Sequence, residues 1–178
     1  MKSGKVVPSD TSAALRYLTA SGDIVEFTAE TLQTLAKYRQ RRFWQSEAGG
    51  QLFADVLGKL VRVVHASKPK KADLRARFGF APHRPTEQSE INELHAHGLH
   101  YVGDWHSHAQ DRPAPSTTDA KSINECFRKS KHDLSGFVLA IVGKQAFPGG
   151  LYVGLADGVQ VVELISQTEQ RTGELTDR

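Results

Sequence analysis

The chain has 178 residues and a mass of 19.6 kDa, the size of one domain with little room for a second. With 39% hydrophobic and 24% charged residues it can bury a core, and 15 Gly and 7 Pro fit neither a fibrous repeat nor a disordered tail. Its 23 Lys and Arg against 20 Asp and Glu leave +3, too small an excess to argue for nucleic acid, and the single cysteine, Cys126, excludes an intramolecular disulfide framework and every Cys-rich zinc motif.

Residues 1–10 carry no apolar stretch ahead of Pro8 and Asp10, so no secretory signal is read there and a flexible N-terminus is expected. Thr28 is a suitable cap for a helix reaching about Gln40, with Glu30 in its first turn and Leu32, Leu35 and Ala36 on one face. Strand patterns follow over 43–57, interrupted by Gly49-Gly50, and over 60–66, with Gly58-Lys59 as the tight turn between them. The basic stretch Lys68 to Lys71, with Arg75 and Arg77, has no interleaved aromatics and reads as a solvated loop. A helix is expected over 86–97, with Ile91 and Leu94 inward and Gly98 as its stop. A strand over 99–108 then enters the loop 109–115, and Ser116 starts a further helix with Ile123 and Phe127 on one face. The last third reads as strands over 136–142, 151–156 and 159–165, with Asp157-Gly158 as a two-residue hairpin turn. Phe137 to Val142, the longest apolar run, is far below the roughly 18 residues that span a bilayer, so neither a membrane nor an extracytoplasmic setting is expected. Domain limits of 11–166, with 167–178 as a polar tail, complete a mixed α/β reading: one curved sheet flanked by helices.

The segment richest in chemistry is Gly103-Asp104-Trp105-His106-Ser107-His108, then seven residues, then Ser116, two residues and Asp119. On a strand, side chains two apart share a face, so His106 and His108 can offer imidazole nitrogens to one metal ion while Trp105 and Ser107 face the other way. His95 and His97 have the same spacing but a helical context, which points them about 200° apart. Asp119, from the first turn of the next helix, adds a carboxylate. Two imidazoles and one carboxylate leave the fourth position of a tetrahedral ion to water, as in catalytic rather than structural zinc sites, and one catalytic Zn2+ is expected. A hydrolytic zinc needs a carboxylate base that is not itself a ligand, and Glu47 is the candidate, ahead of Gly49-Gly50 where missing side chains would admit a substrate backbone. Ser116 can donate to a developing oxyanion. Ser116-x-x-Asp119 is also a plain capping box, and the two roles are compatible. Cys126, mid-helix beside Phe127, reads as a packing residue, and His65, His83, His97, His100 and His132 as surface or loop positions.

Glu47, His106-x-His108 and Ser116-x-x-Asp119 together resemble the JAMM motif of the JAB/MPN zinc metalloproteases. Trp44-x-x-Glu47-x-Gly49-Gly50-x-Leu52-Phe53 is similar to that family's glutamate strand and Pro115-Ser116 to its Pro-Ser pair, whereas Ala109 stands where many members place proline. The resemblance implies a JAB/MPN-like, cytidine-deaminase-like fold, with His106, His108 and Asp119 as zinc ligands, Glu47 as the acid/base and Ser116 as the oxyanion donor. The compact form looks most like the bacterial JAB proteases of antiphage operons of the CBASS type. That resemblance implies hydrolysis of the amide after the C-terminal tail of a ubiquitin-like protein or a conjugated cyclic-nucleotide synthase, with an E1/E2-like enzyme as operon partner. Alternatives are processing of a sulfur-carrier C-terminus, a DNA-associated relative favoured by the basic stretch, and a non-catalytic MPN scaffold. A zinc deaminase would need a second cysteine.

Overall fold

The alternating apolar segments become strands of one sheet because each has two apolar faces to cover. The computed structural model describes residues 11–42, 44–77 and 79–167. The terminal segments 1–10 and 168–178, and Phe43 at the expected start of a strand, lie outside the described residues. In chain order the elements are β1 (Leu15–Leu18), β2 (Ile24–Phe27), α1 (Ala29–Ala36), β3 (Gly49–Leu57), β4 (Leu60–Ala66), β5 (Leu74–Ala76), β6 (Gly79–Ala81), α2 (Arg84–Ala96), β7 (His100–Ser107), α3 (Thr117–Lys129), β8 (Phe137–Val142), β9 (Leu151–Ala156) and β10 (Val161–Glu163). Eight strands form one sheet in the order β1-β2-β4-β3-β7-β8-β9-β10, and β5 and β6 form a separate antiparallel pair. Within the large sheet β2–β4 and β7–β8 run parallel, the other pairs antiparallel. A bridge between Tyr17 and Ser166 joins β1 to the segment beyond β10, so the sheet curls back on itself. The expected mixed α/β sheet flanked by helices is what the structure has.

β8 shows why the core has two sides. All six of its residues are buried. Val138, Ala140 and Val142 pack with Leu32, Leu35, Phe27 and Trp105 on the α1 side. Phe137, Leu139 and Ile141 pack with Ile123 of α3 and Tyr152 on the other. Period-2 alternation buried on both faces reads in sequence as a continuous apolar run.

Several boundaries moved. Thr28 caps α1, its Oγ1 accepting from Thr31 N at 3.3 Å, but the helix ends at Ala36. Gln40 is buried beyond it, its Nε2 donating to the carbonyls of Gln45 and Arg77. The expected strand over 43–57 begins only at Gly49. β4 matches the expected 60–66, and Gly58 turns at φ +60°. The basic stretch is not a solvated loop throughout: β5 runs through it, and Lys70 pairs with Glu90 at 2.7 Å. α2 starts two residues early, stops at Gly98 as expected (φ +86°) and leaves Ile91 and Leu94 half-buried. Asp157-Gly158 belongs to a longer turn, because Ala156 pairs with Val161. The β1–β2 pair adds two strands to those expected from the sequence.

β2 also carries a buried acid. Glu26 stands opposite Arg16 on β1 and Arg62 on β4, bonded by their Nε atoms at 2.6 and 2.8 Å. Burial pushes its carboxyl up, but the bonds from Arg16 and Arg62 outweigh this and hold it below the ordinary value. A depressed folded-state pKa contributes stability above the unfolded value and loses it as pH falls through the folded one. Glu26→Gln is therefore expected to lower Tm by several degrees at pH 7, with the gap to wild type closing below about pH 4 in melts taken across pH. A constant gap down to pH 3 would contradict the charge assignment.

Candidate functional site

Strand alternation places the imidazoles. His106 on β7 and His108 just past its end share a face, held extended by the bond from His108 N to Val142 O (2.9 Å). Their Nε2 atoms lie 3.1 Å apart. Trp105 and Ser107 occupy the opposite, buried face, where Trp105 Nε1 donates to Ser67 O at 3.0 Å. Ser107 is joined to Ala48 twice: its N–H donates to Ala48 O (2.8 Å) and its Oγ accepts from Ala48 N (3.0 Å).

The start of α3 delivers the carboxylate. Ser116 is the N-cap, its Oγ accepting from Asp119 N (3.1 Å) while its own N–H donates to Asp119 Oδ2 (2.7 Å). The capping box fixes the Asp119 rotamer and turns its oxygens toward the imidazoles. Oδ1 lies 3.4 Å from His106 Nε2 and Oδ2 lies 3.4 Å from His108 Nε2. Burial pushes the Asp119 carboxyl up, but the bonds from His106 and His108 and the Ser116 N–H hold it well below the carboxylate range. Burial likewise pulls His108 down, yet Asp119, then Glu47 and Gln110, bring it above its ordinary value.

Three donor atoms from His106, His108 and Asp119 lie within 4.8 Å of one another. The set fits a divalent ion: two borderline nitrogens and a carboxylate match the ligand preferences of zinc. Gln110 Oε1 lies 3.3 Å from His108 Nδ1 and can hold the tautomer that leaves Nε2 free as a donor, the outer-shell support such ligands need.

Glu47 is buried and precedes β3 rather than lying on it. It borders the same cleft of about 770 Å³ as His106, His108, Ser116 and Asp119, so all five residues singled out in the sequence are brought together. Burial raises its carboxyl above the ordinary value, against the opposing pull of His108 and His106. The cap Ser116 is exposed on the cleft and, because its Oγ accepts from Asp119 N, keeps its hydroxyl hydrogen for another acceptor.

The glycines after Glu47 do not leave room for a substrate backbone as expected. A Cβ on Gly49 would stand 2.5 Å from the Phe80 ring, and one on Gly50 2.5 Å from Ser67 O. Their emptiness is filled from within the chain.

Sequence reasoning missed Asp104, although the same alternation that links His106 and His108 puts it on their face. It lines the cleft with Arg84 and Glu87 of α2 and accepts from Tyr101 Oη at 2.8 Å. Burial, aided by Glu87, pushes it up to about 7. The other histidines stay away from the cleft. His95 and His97 are exposed at the end of α2, while His132 lies in a loop, as one of the surface or loop positions expected, and is half-buried between the rings of Phe127 and Phe137 at 4.3 and 4.7 Å. Cys126 packs beside Tyr101, and burial pushes its thiol up, away from nucleophile character. Among the described residues no helix is long and apolar enough to cross a membrane.

Comparison with known proteins gives a match to the family of prokaryotic homologs of the JAB domain over residues 28–151, well over half of the chain. An Escherichia coli protein named CD-NTase/cGAS isopeptidase is 33% identical over 101 residues, covering 55% of this chain and 65% of that protein, just under two thirds of its length. A Vibrio cholerae protein of the same name is 32% identical over 127 residues, covering 70% of this chain and 79% of the relative. In fold, the chain is similar to the solution structure of a Desulfitobacterium hafniense protein, with a TM-score of 0.54 at 18% identity over 77% of this chain and 87% of that one.

Proposed function

Since the chain belongs to the prokaryotic homologs of the JAB domain, we propose that it is a zinc-dependent isopeptidase that hydrolyses the amide joining the C-terminal tail of a cyclic-nucleotide synthase to its conjugated target. The observation that carries this reading is the convergence of His106, His108 and Asp119 with the buried carboxylate of Glu47 on one cleft. The substrate class comes from the names of the relatives, CD-NTase/cGAS isopeptidases. The catalytic domain is taken as residues 11–166.

His106 Nε2, His108 Nε2 and a carboxylate oxygen of Asp119 would hold the ion. Zinc there would supply Lewis acidity to the scissile carbonyl and make water acidic enough to react near pH 7. The Glu47 carboxylate accepts a proton from the attacking water as the oxygen bonds to the carbonyl carbon. The Ser116 hydroxyl donates to the carbonyl oxygen as negative charge develops on it. As the C–N bond breaks, Glu47 returns the proton to the leaving nitrogen, so the amine departs neutral and the carboxyl is ready to act again. A sulfur-carrier or ubiquitin-like tail remains the second substrate reading. Of the basic stretch that would favour a DNA-associated relative, Lys70 and Arg75 bond within the chain.

The test is intact-mass spectrometry of the zinc-loaded protein with fusions bearing synthase, ubiquitin-like and sulfur-carrier tails. Cleavage after the synthase tail is expected, and cleavage of none would overturn the peptidase reading. Asp119→Ala is expected to lower zinc content from one per chain to near zero by elemental analysis. It also loses about 1 kcal/mol from the cap. Full zinc occupancy in that variant would remove Asp119 from the ligand set.

A further inference from the structure

Glu47 sits outside the sheet, so regular pairing does not hold its backbone. Four hydrogen bonds at Glu47 and Ala48 do, and they come from two elements. The Glu47 N–H donates to Ala76 O at 2.8 Å and its carbonyl accepts from Arg75 Nε at 2.7 Å, while the next residue, Ala48, donates to Ser107 Oγ at 3.0 Å and accepts from Ser107 N at 2.8 Å. The Ser107 anchor belongs to the strand that carries His106. The Arg75 and Ala76 anchors belong to the β5–β6 pair, which forms a sheet of its own.

The base of that pair and its second strand also meet the body of the domain. Asp73 ties its base, accepting from the N–H groups of Lys70 (2.6 Å) and His83 (2.9 Å). Phe80 of β6 lies over the empty Cβ position of Gly49. An isolated two-stranded ribbon is marginal in water, so each bond to the body of the domain counts. Arg75 is exposed in the strand and accounts for part of the basic stretch that charge patterning left without a role.

We infer that Arg75 is a positioning residue: by bonding the Glu47 carbonyl it fixes the backbone that aims the Glu47 carboxylate into the cleft. The inference rests on the isopeptidase reading for its kinetic consequence but not for its structural one. A base must be held within a fraction of an ångström of the proton it moves, and misplacement is costly in turnover rather than in binding. Arg75 is not among the donor atoms and borders a different cavity from the cleft that the donor triad lines, so metal binding is not expected to depend on it.

Arg75→Met keeps the length of the side chain and removes the donor, while Arg75→Lys restores a donor. Kinetics with a cleavable tail fusion, zinc content and backbone amide exchange of the full chain separate the possibilities. Arg75→Met is expected to lower kcat about tenfold with KM and zinc content unchanged, and Arg75→Lys to recover most of it. In Arg75→Met the amides of Glu47 and Ala48 are expected to exchange faster, with no change in β8. Wild-type kcat in Arg75→Met, or a loss confined to KM, overturns the positioning role. Unchanged exchange at Glu47 overturns the clamp itself. Should the wild type cleave no tail, the isopeptidase reading fails by itself, and the exchange comparison still decides whether Arg75 holds Glu47.

Discussion

Glu47→Gln loses about 100- to 10,000-fold in turnover while retaining zinc and an unchanged or slightly raised Tm. The three parts of that expectation have separate origins. Turnover falls because an amide cannot accept the proton from water or return it to the leaving nitrogen. Zinc is retained because the donor set, His106, His108 and Asp119, does not include Glu47. Stability holds because the amide is close in shape to a carboxylate whose pKa is already raised by burial, and burying the neutral group costs less than burying the charged one. Steady-state cleavage, elemental analysis and a thermal melt on the same preparation read all three. Activity within a few-fold of wild type would exclude Glu47 as the base.

Gly103→Ala is expected to be the most damaging single substitution in the fold. Gly103 is at φ +143°, a conformation that side-chain-bearing residues rarely adopt, and its missing Cβ points at the carbonyl oxygen of Val138 in the neighbouring β8. The obstacle is paired backbone at the middle of the sheet, so no side-chain rotation relieves it. Backbone strain and lost pairing together are expected to cost more than about 4 kcal/mol, seen as insoluble expression or a Tm lowered by over 10 °C. Gly79→Ala is the control: a Cβ there meets nothing within 4 Å, and φ is not positive. Equal behaviour of the two variants would show that the β7–β8 contact is softer than its geometry implies. The same β7 carries His106, so a partially folded Gly103→Ala protein should also bind zinc poorly.

The site was legible in the sequence because its logic is local. A strand's alternation pairs His106 with His108, and a capping box presents Asp119 one loop later, so spacing alone encodes the donor set. Glu47 was legible less directly, as a carboxylate ahead of Gly49-Gly50 and through the resemblance, since its position depends on β5 and β7, both distant in sequence. What stayed hidden was decided by tertiary contact. The Asp157-Gly158 signal suggested a two-residue turn, but Gly158 N donates to Asn124 Oδ1 at 2.9 Å, and Asp157 Oδ1 accepts from Val159 N and Gln160 N, drawing the turn out toward α3. The strand Leu74–Ala76 is fully exposed and too short to show a period. The glycines at 49 and 50 read as openings because a sequence does not say which neighbour fills the space they leave.

The Tyr17–Ser166 bridge bears on how the protein behaves at high concentration. Sheet edges invite pairing with another copy, and long flat edges are where aggregation starts. Here the curl brings one outer strand, of four residues, against chain beyond the other, of three. A wide sheet is thereby left with short, partly covered margins, and the chain gains resistance to edge-to-edge association from curvature rather than from charge.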